Sequence, residues 1–135
     1  MTPIDPTSQS SGAGTAETPL TTLNPAAGHL TIINTYTVAP ERADALLATL
    51  IRATEETLRF VPGFVSANFH INAERTQIVN YAQWESREAL LRAGSDPAVV
   101  TRIQEAGQIA ERFTPVQYEL RQSIAGASGL DSLKP

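Results

Sequence analysis

Hydrophobic and polar positions along this chain switch period several times, and each switch marks an element. From His29 to Val38 they alternate: Leu30, Ile32, Asn34, Tyr36 and Val38 fall on one face, and Thr31, Ile33, Thr35 and Thr37 on the other. A period of two with many β-branched residues predicts a strand. After Pro40, near a helix start, Ala43, Leu46, Leu47, Leu50, Ile51, Thr54 and Leu58 recur at helical spacing. That predicts an amphipathic helix of about five turns, stopped before Val61-Pro62-Gly63. A strand from Phe64 to about Ile71, a hairpin turn over 72–75 and a strand from Thr76 to Trp84 follow. Ser86 stands where an N-cap belongs, and Gly94 to Pro97 interrupts the helix behind it. A second helical piece carries Val99, Ile103, Ala106, Ala110 and Phe113 on one stripe. The last strand is expected from Pro115 to Ile124, with Val116, Tyr118 and Leu120 on one side and Gln117, Glu119 and Arg121 on the other.

The order βαββαβ, two halves joined by a central hairpin, predicts an α+β fold, the ferredoxin-like sandwich with helices on one face of a four-stranded sheet. The uncovered face offers Ile33, Val79 and Tyr81 among Thr35 and Gln83. A second copy of the chain is the expected cover, so a homodimer is anticipated. Residues 1–28, rich in Thr, Ser, Pro, Gly and Ala and without Lys or Arg, read as a disordered arm. The folded domain is expected over 29–124, and 125–135 reads as a flexible tail.

Composition narrows the partners. The 135 residues suit one domain, the net charge is −4, and the ten basic side chains are scattered without a stripe. Nucleic acid and anionic membranes are therefore not expected partners. The chain holds no cysteine, which removes thiolate nucleophiles, disulfides and zinc–thiolate sites. Metal-ligand spacings such as HxH or HExxH do not occur, and Glu55, Glu56, Glu85 and Glu88 read as solvated faces or helix-start charges. No secretion signal or membrane-length apolar run is recognisable, so a cytoplasmic location is expected.

The third strand holds the chemistry. Ile78, Asn80, Ala82 and Trp84 share one face, so an amide and an indole sit where a plain core strand carries aliphatic residues. Burying an amide without partners costs about 1–3 kcal/mol, so Asn80 has either a fixed structural partner or a ligand-filled pocket beside it. Asn34 interrupts the apolar face of the first strand in the same way. Two amides and an indole N–H on neighbouring surfaces suit a mostly apolar pocket with a few convergent donors. Tyr36 and Tyr118 are further candidates, each offering a phenol.

Val61-Pro62-Gly63-Phe64, Asn68-Phe69-His70 and the run from Val79 through Asn80-Tyr81-Ala82-Gln83-Trp84 to Ser86 resemble the antibiotic biosynthesis monooxygenase family over roughly residues 30 to 122. The resemblance implies a dimeric α+β barrel. It points within the family to the small cofactor-independent oxygenases of aromatic polyketide biosynthesis, which convert anthrones to anthraquinones with O2. It implies Asn34, Asn80 and Trp84 as catalytic residues and His70 as the match to a family histidine on the second strand. Leu90 stands where some relatives place a tyrosine. Arg102 falls a residue away from a pocket arginine of some relatives and stays outside the catalytic set. The implied partners are a small aromatic substrate and O2, with no cofactor and no metal. A haem-degrading oxygenase of the same fold would need a histidine on the late helix, and residues 86–113 contain none. A non-catalytic binding protein and a ring-cleaving or isomerising enzyme remain as alternatives, since this sandwich hosts many functions.

Overall fold

The computed structural model describes residues 20–128. Its strands are β1 (Leu30–Thr37), β2 (Phe64–Ile71), β3 (Gln77–Trp84) and β4 (Arg112–Glu119), joined antiparallel in the order β2-β3-β1-β4. Helices α1 (Ala43–Glu56), α2 (Arg87–Gly94) and α3 (Pro97–Gly107) lie against one face of this sheet. The α+β, ferredoxin-like arrangement expected from the alternating periods is thus present. No helix among the described residues is long and apolar enough to cross a membrane.

Local chemistry sets the element ends. The Ser86 hydroxyl accepts from the N–H of Ala89 at 3.1 Å and starts α2, and the Asp96 carboxylate accepts from Ala98 N at 2.9 Å and starts α3 behind Pro97. In the β2–β3 hairpin the Asn72 side chain accepts from the N–H groups of Thr76 and Gln77 at 2.9 and 2.8 Å. α1 is shorter than its apolar stripe predicts. The chain leaves helical geometry at Thr57 and makes a single 3-10 turn, Leu58–Phe60, which reverses it toward β2.

β4 begins at Arg112 rather than Pro115 and stops at Glu119 rather than Ile124. β1 decides both ends, because Thr37 pairs with Arg112 and Leu30 with Glu119, and beyond them β1 has no backbone left to offer. Phe113, expected on the helical stripe, is consequently a strand residue. Pro115 is tolerated because β4 is an edge whose outer side needs no donor.

Residues 20–28, expected within the disordered arm, run along the uncovered face of the sheet. Gln83 Nε2 donates to the carbonyl of Thr22 at 3.0 Å, and the Thr21 hydroxyl donates to Asn68 Oδ1 at 2.7 Å. A 3-10 turn, Pro25–Ala27, capped by Asn24, carries this strap into β1. The rest of the arm (1–19) and residues 129–135 of the tail lie outside the described residues.

Candidate active site

The core is divided. One buried cluster gathers Val38, Ala43, Leu46, Leu50, Ile78 and Ala106, and the other Ile32, Ala82, Trp84, Ala89 and Ala93. Between them, against the helix side of the sheet, lies a cavity of about 550 Å³. Strand register explains the division. Reading across the sheet, Phe69 pairs with Asn80, Asn80 with Asn34, and Asn34 with Pro115. Two asparagines are therefore direct cross-strand partners in the middle of the floor, with Cβ atoms about 5 Å apart. On one side is the row Ala67, Ala82, Ile32 and Gln117, and on the other Ile71, Ile78, Tyr36 and Phe113. The amides interrupt the apolar packing where the helices stand off the sheet.

Asn80, 9 % exposed, has a fixed orientation: its Oδ1 accepts from the backbone N–H of Asn68 at 3.0 Å. With the oxygen committed, the amide presents its NH2 as a donor, and this nitrogen has no partner among the described residues. Trp84 is 4 % exposed, its ring set edge-on to Phe64 at 5.4 Å between centroids, and its indole N–H likewise finds no acceptor among the described residues. Tyr36 stacks on Phe113 at 4.8 Å, and burial pushes its phenol up to about 12, so it is a neutral donor at any physiological pH. Three donors without a protein partner beside one cavity make a polar surface open to a small hydrogen-bonding guest.

Of the residues expected from sequence, Asn34, Tyr36, Asn80, Trp84 and Leu90 line the cavity together. His70 and Tyr118 do not. His70 pairs with Val79 and Tyr118 with Thr31, which puts both on the opposite face of the sheet. Single-residue alternation fixes that outcome, since their neighbours Phe69 and Gln117 take the cavity side. Arg102, left out of the set, is in the wall: its Nε donates to the Thr57 hydroxyl at 3.1 Å, and its guanidinium pairs with Glu56 at 2.5 Å and Glu105 at 3.5 Å. Its signal was its position three residues after Val99, on the stripe continued by Ile103 and Ala106. Phe69, Phe113, Pro115 and Gln117 complete the sheet side of the lining. Arg102 and Tyr36 are the only ionisable side chains lining the cavity among the described residues, and no group of His, Cys, Asp or Glu there is arranged to hold a metal ion.

A ferredoxin-like sandwich whose helices hold a largely apolar, amide-floored cavity against the sheet has room there for a small molecule. The chain belongs to the antibiotic biosynthesis monooxygenase family, whose pattern it matches over residues 29–104. It is 33% identical over 109 residues to tetracenomycin-F1 monooxygenase of Streptomyces glaucescens, across 81% of this chain and 96% of that one. The monooxygenase from the gene ActVA-Orf6 of Streptomyces coelicolor, solved in complex with nanaomycin D, superposes with a TM-score of 0.69 at 27% identity, covering 76% of this chain and 96% of that chain. SnoaB, a cofactor-independent oxygenase from Streptomyces nogalater, shares the fold with a TM-score of 0.59 at 20% identity, over 73% of this chain and 99% of its own.

Proposed function

We propose that this protein is a cofactor-independent monooxygenase that oxidises an anthrone-like aromatic polyketide to the quinone with O2, acting as a homodimer. The observation that carries this reading is the cavity itself: largely apolar walls, a floor with paired asparagines whose amides are neutral donors, and a single cation, Arg102, already paired with Glu56 and Glu105. An anthrone methylene is acidic because its carbanion delocalises into the ring carbonyl as an enolate. Neutral N–H donors at that oxygen stabilise the developing charge as an oxyanion hole does, and they act most strongly where water is excluded. Asn80 Nδ2, Asn34 and the Trp84 indole are assigned this role, with Tyr36 and Leu90 in the walls shaping the site for the ring system.

The substrate supplies the electrons. Loss of a methylene proton gives the carbanion, which passes one electron to O2. The resulting radical and superoxide recombine to a peroxide at the same carbon. The outer peroxide oxygen is protonated, the second methylene hydrogen leaves as a proton, and the electron pair of its C–H bond forms the new carbonyl as the O–O bond breaks and the outer oxygen departs as water. The sum, CH2 plus O2 to C=O plus H2O, balances without an external reductant. No carboxylate or imidazole lines the cavity among the described residues. The proton accepted in the first step therefore goes to solvent or to a basic oxygen of the substrate, and the enzyme's part is to lower the acidity barrier by binding the anion.

Oxygen uptake and quinone absorbance with dithranol as substrate test the proposal. Uptake above the spontaneous rate is expected, falling about a hundredfold in Asn80→Ala and about tenfold in Trp84→Phe. Tight binding of the anthrone with no uptake above background would replace the oxygenase with a binding protein.

A further inference from the structure

The face of the sheet turned away from the helices carries a chain of polar contacts that ends at the active amide. Gln83 and Thr31 are each 3 % exposed there, although no helix covers them. Ser66 Oγ donates to Gln83 Oε1 at 2.7 Å, and Gln83 Nε2 donates to the Thr22 carbonyl at 3.0 Å. Asn68 Nδ2 donates to the carbonyl of Tyr81 at 2.8 Å and to Ser66 Oγ at 3.2 Å, while its Oδ1 accepts from the Thr21 hydroxyl at 2.7 Å. The backbone N–H of the same Asn68 is the donor that holds Asn80 Oδ1 at 3.0 Å on the other face. One residue thus grips the strap with its side-chain oxygen, the neighbouring strand with its side-chain nitrogen, and the cavity amide with its backbone.

We propose that Asn68 is a positioning residue for Asn80, and that residues 20–24 form a strap which fixes it from the far side of the sheet. This rests on the reading of Asn80 as the donor to the substrate oxygen. β2 is an edge strand with a register shift between Phe64 and Ser66, so it is held on one side only and irregularly at its start. The Asn68–Tyr81 contact and the strap make good that weakness just where Asn80 needs its acceptor-side anchor. If Asn68 N–H drifts, nothing else among the described residues holds the Asn80 oxygen. The amide is then free to turn over, and a carbonyl facing a substrate oxyanion repels what the NH2 stabilises.

Thr21 is exposed, so substituting it does not threaten folding. Full-length Thr21→Val, which keeps the shape and loses the donor, is compared with Thr21→Ser, which keeps the hydroxyl. Two quantities are read: the exchange rate of the Asn68 backbone amide by NMR, and kcat and KM for dithranol oxidation. Thr21→Val is expected to speed Asn68 exchange about tenfold and to lower kcat about fivefold with KM within twofold, and Thr21→Ser is expected to restore both. Unchanged Asn68 exchange in Thr21→Val overturns the brace. Faster exchange with unchanged kcat overturns its role in positioning. A wild type that turns over no dithranol refutes the proposed reaction and with it the catalytic half of the inference, while the exchange rates still decide whether the strap holds Asn68.

Discussion

Tyr36 shows how burial selects one protonation state for one job. Its phenol sits on the cavity face beside Phe113, and desolvation pushes its pKa up to about 12 from 10.0. Because the raised value belongs to the folded state, the unfolded chain releases this proton first. The contribution to stability is complete below pH 10 and disappears as pH rises through 12, a loss of about 3 kcal/mol when fully titrated. Urea unfolding of wild type and Tyr36→Phe at pH 8 and pH 11.5 checks the sign: the wild type should lose more stability over that interval than the variant. The face that Tyr36 shares with Asn34 was readable in sequence because β1 and β3 alternate without interruption: parity put Asn34 with Tyr36 and Asn80 with Trp84, and the family resemblance joined the two strands' residues in one site. Parity said less about the outer strands. His70 and Tyr118 each alternate with a plausible neighbour, and only pairing to Val79 and Thr31 settles which side they occupy. What no pattern displayed was the Asn68 backbone N–H on Asn80 Oδ1, since a backbone group has no signature in a sequence.

Gly63 is where two elements touch through a missing side chain. It holds φ +90 between the end of the 3-10 turn and β2, and its carbonyl accepts from Glu85 N at 2.7 Å, tying β2 to the start of α2. A methyl at this position would run into the Cβ of Ala89, which is buried in the cluster around Trp84. Gly63→Ala therefore combines a left-handed backbone penalty of about 1 kcal/mol with an overpacking penalty of about 1–3 kcal/mol. Chemical denaturation should show a loss of about 3 kcal/mol, and the penalty should shrink by at least 1 kcal/mol in an Ala89→Gly background, where the clash is relieved and the backbone strain stays. The sequence marked this turn plainly, because Pro62-Gly63 punctuates two strong patterns. It marked the boundary between α3 and β4 poorly: Phe113 continues the helical stripe of Val99, Ile103, Ala106 and Ala110, and only pairing with Tyr36 draws it into the sheet.

The assembled chain leaves one sheet face unfinished, and the strap covers only part of it. Residues 20–28 lie over the Thr31, Gln83 and Ser66 end. Beyond it the face presents Ile33, Val79 and Tyr81, with Val116 and Tyr118 on β4 still 41 % and 49 % exposed. No residue of β4 is buried, although it is the fourth strand of the only sheet among the described residues. A strand with no buried residue contributes little apolar burial to its own chain, so an apolar outer row of Val116 and Tyr118 makes sense when a second copy packs on it. A stable interface needs about 800 Å² from each partner, which a row of three apolar residues per strand pair supplies only if β1, β3 and β4 all take part. Ile33 and Val116 are cross-strand neighbours at the centre of that row. Ile33→Arg with Val116→Arg places paired like charges there in each copy, four in the interface, at a cost that exceeds what the remaining contacts return. Sedimentation velocity should find the wild type at twice the mass of the chain and the double variant at once, with the helix-side fold retained by circular dichroism. A wild type that sediments as a single chain at micromolar concentration would sink the dimer and leave the exposed row of β4 without a partner. Because Phe113, Pro115 and Gln117 of β4 line the cavity, a second copy that steadies this edge strand couples assembly to the site, and loss of the dimer should also weaken substrate binding.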